Sequence, residues 1–168
     1  LDVEYMIELL KLCGVRVKRN EQTNEVVLKR RKVKSVIKSP YLNQIRASYY
    51  LMGALFTEKR LVKTKIPGGC DFEKRPINYH LDAFRQMGAI IKETNHDILI
   101  KRKNKLPINI TLKTKSLGTT INIILASVKT KGITIIKNPS LEPEVLDFIQ
   151  VLNKMNANIK IINNEIVI

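Results

Sequence analysis

The chain of 168 residues has no tryptophan and only 5% aromatic residues, so isoleucine, leucine and valine must supply most of its packing. The same scarcity removes the stacking platforms on which single-stranded nucleic acid is held. Two cysteines, Cys13 and Cys70, are too few for a disulfide framework and read as free thiols in a reducing compartment. No run of about 18 apolar residues occurs, so no membrane-spanning helix is expected. The opening "LDVEYMIELL" is acidic and amphipathic, unlike a signal peptide. Zinc-finger spacings, ribonucleoprotein motifs and a continuous basic helix are all missing, and no residue is assigned to a metal or cofactor.

Acidic residues are also scarce: 15 against 30 lysines and arginines, a net charge of +15. That balance fits an anionic partner. Many of the lysines, however, fall at alternating strand positions where a solvated face is expected. Most of the charge is read that way, and nucleic acid is the less favoured partner.

What the chain does have is repetition. Residues 2–30, 76–102 and 144–168 each read as an amphipathic helix, a closing Gly or Asn, and two short strands around a polar turn. The closing residues are Gly14, Gly88 and Asn156, residue types that take the left-handed conformation ending a helix. They recur after 74 and 68 residues. The stretches 45–69 and 117–140 also match, each an apolar helix rich in small residues, then a strand and a turn. "KSVI" and "INITLK" supply a strand before each. The unit is βαβαββ and roughly 70 residues long. Two full copies are expected, at 31–102 and 103–168, preceded by the back half of a third at 1–30. A strand and helix are therefore expected upstream of this chain. Cys13 occupies the place of Met87 and Met155, an inward position where a thiol acts as a small hydrophobe.

Cys70 has no counterpart in the repeat. It stands in "KIPGGCDFEKRP", on a glycine turn between a strand and a helix that starts near Arg75-Pro76. Lys65, Lys74 and Arg75 favour its thiolate, while Asp71 and Glu73 oppose it. A helix start offers unpaired N–H groups, and an arginine adds a planar fork for phosphate. Arg46 opens the helix "IRASYY", so Arg46 and Arg75 could bracket one phosphate; the alternative for each is a surface salt bridge or a solvated charge, and spacing alone favours that alternative at Arg46.

Taken together, Arg46-Ala47-Ser48, Pro67-Gly68-Gly69-Cys70, Arg75-Pro76-Ile77-Asn78-Tyr79-His80, "KSLGTT" and "LEPEVLDFIQVLNKMNANI" resemble the UDP-N-acetylglucosamine enolpyruvyl transferases. The resemblance covers nearly the whole chain. It implies an α/β (α+β) domain of repeated βαβαββ units, with buried helices and outward sheets in an inside-out, barrel-like arrangement. It implies transfer of the enolpyruvyl group of phosphoenolpyruvate to the 3-hydroxyl of UDP-N-acetylglucosamine with release of phosphate, the first committed step of peptidoglycan synthesis in the bacterial cytoplasm. By the same resemblance Cys70 is the catalytic thiol, the one alkylated by fosfomycin, and Arg46 and Arg75 bind phosphoenolpyruvate. Arg75, Pro76, Ile77, Asn78, Tyr79, Thr114, Ser116, Leu117 and Gly118 contact the sugar nucleotide. Two positions depart from the family: its aspartate is Asn78 here, and a family lysine falls on Thr114 with Lys113 and Lys115 beside it. The family's general base and further arginines lie on a second, similar domain, so this chain is expected to hold half a site and to turn over little alone. Three other readings stand beside this one: a 5-enolpyruvylshikimate-3-phosphate synthase-like enzyme, which the Gly-Gly-Cys loop disfavours, a non-catalytic basic RNA-binding module of the same fold, and a structural or regulatory paralogue that keeps the fold without the base.

Overall fold

A computed structural model of the chain describes residues 1–66, 77–103 and 108–168. In order these form α1 (Asp2–Leu12), β1 (Val15–Asn20), β2 (Glu25–Arg30), two 3₁₀ turns (Pro40–Asn43 and Arg46–Tyr49), α2 (Tyr50–Glu58), β3 (Leu61–Lys65), α3 (Asn78–Gln86), β4 (Ala89–Glu93), β5 (Asp97–Arg102), β6 (Asn109–Thr111), α4 (Leu117–Ser127), β7 (Ile135–Lys137), α5 (Pro143–Lys154), β8 (Lys160–Ile162) and β9 (Glu165–Val167). The three residues expected to close helices all take left-handed backbone: φ is 93° at Gly14, 77° at Gly88 and 68° at Asn156. Each turns the chain from helix into hairpin.

The strands form three separate sheets: the β1–β2 hairpin, β3-β5-β4 and β6-β7-β9-β8. Within the four-stranded sheet β6 and β7 are parallel, and β9 runs antiparallel to both β7 and β8. The middle sheet has the same order once residues 35–37 are added beside β3. There Lys63 N donates to Ser35 O at 2.9 Å and Ile37 N to Lys63 O at 3.2 Å. The "KSVI" stretch is thus a single parallel bridge, Val36 to Lys63, rather than a full strand. The cause is local: Ser39 caps the 3₁₀ turn that begins at Pro40 and bends the chain away from the sheet.

Helices lie inside and sheets outside. α2 buries six of its nine residues and α4 seven of its eleven, as expected for helices apolar all round. They run parallel: Tyr49 meets Gly118 at one end, Gly53 meets Asn122 in the middle, and Glu58 pairs with Lys129 at 2.6 Å at the other end. Gly53 is what lets them approach. A Cβ there would sit 2.2 Å from the Asn122 carbonyl oxygen and 2.3 Å from its Oδ1. The Asn122 side chain uses the gap. Its Oδ1 accepts from Gly53 N at 2.8 Å and its Nδ2 donates to Tyr49 O at 3.1 Å. Tyr49 O and Gly53 N are the i, i+4 partners of an ordinary helical bond, so the amide is spliced into the ladder where the 3₁₀ turn becomes α2.

Helix ends are covered by the start of the following unit. Arg31 N and Lys34 N donate to Gly14 O and Cys13 O, both at 3.0 Å. The Gln86 amide grips edge strand β6, donating to Thr111 O at 3.1 Å and accepting from Thr111 N at 3.0 Å. Gln86→Ala is expected to lose about 1–2 kcal/mol in urea unfolding, because both Thr111 groups lose a protein partner. Cys13 and Met87 are accordingly buried, at 4% and 6% exposure, but Met155 is 71% exposed. The inward position expected for Met155 is corrected on that point: α5 has no covering segment of this kind among the described residues.

The β1–β2 and β4–β5 hairpins share register, pairing Arg30 with Val15 and Arg102 with Ala89. Ile98 and Ile100 are fully buried, while their counterparts Val26 and Leu28 are 44% and 56% exposed. The difference is a neighbour: β5 lies between β3 and β4, whereas β2 pairs with β1 alone among the described residues.

Candidate functional site

Parallel packing brings two helix starts together, and α3 contributes a third. The first is the 3₁₀ turn Arg46–Tyr49 that leads into α2. The second is α4, whose N-cap Ser116 accepts from Thr119 N at 3.3 Å through its hydroxyl. The third is α3, opened by Ile77 and Asn78. The positive ends of these elements face the same region.

The contacts that hold them are specific. The Tyr49 and His80 rings lie 4.5 Å apart between centroids. The Arg46 guanidinium stands 5.5 Å from the Tyr49 ring centre. A Cβ on Gly118 would be 2.5 Å from the Tyr49 hydroxyl and 3.3 Å from His80 Cε1, so a side chain there would have to displace the Tyr49 ring. Asn122 closes the set, its Nδ2 lying 3.3 Å from His80 Nδ1. Oδ1 of the amide is committed to accepting from Gly53, so Nδ2 faces the histidine as a donor. His80 Nδ1 is then the acceptor, and any ring proton sits on Nε2.

Electrostatics agree with that assignment. Burial pushes the His80 pKa down to about 4, and the Arg46 charge adds to the effect. Burial raises the Tyr50 phenol well above its usual range, helped by its hydrogen bond to Tyr49. The region therefore offers a cation, Arg46, beside a neutral imidazole and the neutral Tyr50 phenol.

A shallow cleft opens between α3 and the turn before α4, lined by Tyr79, Asp82, Lys113, Thr114 and Thr119 among others. Lys113 Nζ donates to Asp82 at 3.0 Å and is the leading cause of the depressed Asp82 pKa. Thr119 is 1% exposed, and its Oγ1 has no hydrogen-bond partner among the described residues. Such a buried, unpartnered hydroxyl costs about 1–3 kcal/mol.

Of the residues expected from sequence, Arg46 and Gly118 meet through Tyr49, Tyr79 and Thr114 share the cleft, and Ile77, Asn78, Ser116 and Leu117 occupy the adjoining helix starts. Cys70, Arg75 and Pro76 lie outside the described residues. Lys113, considered as a stand-in at Thr114, is tied to Asp82 on the cleft wall. Cys13 is buried, and burial pushes its thiol up to about 11, in keeping with a packing role. Tyr49, Thr119 and Asn122 were not picked out from sequence. Asn122 carried a signal: it is the amide inside the apolar run "INIILA".

The fold and this trio of helix starts define a class. A sequence profile of the EPSP synthase (3-phosphoshikimate 1-carboxyvinyltransferase) family matches residues 1–168, and the chain belongs to that family. Within it the chain is 37% identical over 164 residues to UDP-N-acetylglucosamine 1-carboxyvinyltransferase 1 of Streptococcus agalactiae, covering 95% of this chain and 38% of the relative. It is 38% identical over 164 residues to the UDP-N-acetylglucosamine 1-carboxyvinyltransferase of Prochlorococcus marinus, covering 94% and 35%. The chain thus spans little more than a third of these relatives. The crystal structure of the enolpyruvyl transferase NikO from Streptomyces tendae superposes with a TM-score of 0.79 over 98% of this chain and 39% of that one, at 18% identity, which shows the shared fold.

Proposed function

We propose that this chain supplies one half of the active site of a UDP-N-acetylglucosamine 1-carboxyvinyltransferase. The observation that carries the reading is the gathering of three helix starts around Arg46, a fixed positive site suited to a phosphorylated substrate. Relatives at 37% and 38% identity bear that enzyme's name, which favours UDP-N-acetylglucosamine over a shikimate acceptor. The reaction adds the sugar 3-hydroxyl across the enol double bond of phosphoenolpyruvate, then eliminates phosphate to restore the vinyl group. Arg46 and Arg75 neutralise the phosphate as its charge changes. Cys70 serves the vinyl carbon as acid or nucleophile. Arg75, Pro76, Ile77, Asn78 and Tyr79, with Thr114, Ser116, Leu117 and Gly118, hold the sugar nucleotide, and Tyr79 and Thr114 line one cleft. The repeats 1–30, 31–102 and 103–168 form one domain, and a second domain of the same polypeptide brings the base. The setting is the bacterial cytoplasm; no described helix is long and apolar enough to cross a membrane, and the described residues hold no cluster suited to a metal ion.

The test is intact mass and peptide mapping of the complete polypeptide after fosfomycin and UDP-N-acetylglucosamine. One adduct on Cys70 and none on Cys13 is the expected result, because the Cys13 thiol is buried and protonated. Unmodified Cys70 in a protein that still turns over would remove the thiol from the mechanism.

A further inference from the structure

The network around Asn122 touches all three helix starts at once. Its amide is spliced into the lead-in of α2 through Tyr49 O and Gly53 N, it grows from α4, and it reaches α3 through His80 Nδ1. His80 is 3% exposed and Asn122 is fully buried, so neither group has water as an alternative partner. His80 in turn lies in tilted contact with the Tyr49 ring, and the Arg46 guanidinium stands 5.5 Å from the centre of the same ring. A shift of α3 must therefore move the Tyr49 ring or break the Asn122 bond. Movement of the Tyr49 ring changes one of the contacts that hold Arg46.

We propose that His80 and Asn122 are positioning residues that couple the nucleotide subsite at the start of α3 to the phosphate-binding Arg46 at the start of α2. The inference rests on the enolpyruvyl-transfer reading for the identity of the two ligands. Neither residue is required to touch substrate. A ligand that settles on Ile77–Tyr79 fixes the first turn of α3, hence the His80 ring, hence the Tyr49–Arg46 pair. Binding at one subsite raises affinity at the other, and the effect is reciprocal.

The experiment titrates inorganic phosphate into the complete polypeptide by calorimetry, with and without saturating UDP-N-acetylglucosamine, alongside steady-state kinetics. In the wild type the sugar nucleotide is expected to tighten phosphate binding about tenfold. His80→Phe keeps the ring and removes the acceptor. The increment should vanish, and the KM for phosphoenolpyruvate should rise about tenfold more than the KM for the sugar nucleotide. His80→Asn places an amide oxygen near the position of Nδ1 and should restore most of the increment. Retention of the full increment in folded His80→Phe overturns the coupling, as does equal loss in His80→Asn and His80→Phe. A wild type that binds phosphate but shows no increment overturns it too. A wild type that binds UDP-N-acetylglucosamine not at all overturns the functional reading itself, and the coupling with it.

Discussion

Gly53→Ala is expected to destabilise the 168-residue chain by about 3 kcal/mol, although alanine is the better helix former by about 1 kcal/mol. Space decides the sign. The new Cβ would stand 2.2 Å from the Asn122 carbonyl oxygen and 2.3 Å from its Oδ1, and the first of these is backbone that cannot rotate away. α2 and α4 must separate, at a cost of about 1–3 kcal/mol for overpacking. Separation also strains the bonds from Asn122 to Gly53 N and Tyr49 O, whose buried groups are worth about 1–3 kcal/mol each when left unpaired. A thermal melt should show the midpoint lowered by about 6–12 °C for a domain of this size. Asn122→Ala in the same background should recover little, because the backbone oxygen remains in the way. A neutral or raised midpoint would mean that the two helices slide past each other at small cost, and that Gly53 is not what sets their separation.

Much of this was legible in the chain because the repeat is written in turn chemistry. Gly14, Gly88 and Asn156 mark helix ends by residue type, and each adopts the left-handed backbone that its type permits. The apolar runs of α2 and α4 announced burial, and the amphipathic runs of α1, α3 and α5 announced one-sided packing. Strand lengths were less legible. "KSVI" has strand composition, yet the cap and proline that follow reduce it to one bridge. Met155 matched Cys13 and Met87 by position, but its burial depends on a covering segment that helix periodicity does not encode. At the site, Arg46 could be proposed from local sequence because helix N-termini bind anions by a local mechanism, whereas the α4 start followed only from the family resemblance. The Tyr49–His80–Asn122 set could not, since its members are 42 and 73 residues apart and each looks ordinary alone. Only the close approach of α2 and α4, which Gly53 permits, makes them one network.

That network gives the chain an acid-sensitive stability with a defined window. His80 ionises at about 4 in the folded chain, below its ordinary value of 6.5, because it is buried and because the Arg46 charge disfavours a second cation. Among the described residues, the groups beside it are Arg46, the Tyr49 ring and the Asn122 amide donor. Arg46 repels an imidazolium, and the Asn122 amide donor cannot accept a hydrogen bond from one. Between pH 6.5 and 4 the unfolded chain therefore binds a proton that the folded chain refuses, so stability falls as pH falls. The contribution is fully present above pH 6.5 and amounts to about 3 kcal/mol. Protonation also turns Nδ1 into a donor pointed at the Asn122 Nδ2 donor, which removes the bond that ties α3 to α2 and α4. Urea unfolding at pH 7.5 and pH 4.5 should differ by about 2.5 kcal/mol more in wild type than in His80→Asn, which has no ring to titrate. Carboxylates that titrate near the lower pH are common to both proteins and cancel in the difference. Equal acid sensitivity in the two proteins would show that His80 accepts its proton without cost in the fold, and the donor–acceptor assignment at Asn122 would have to be reversed.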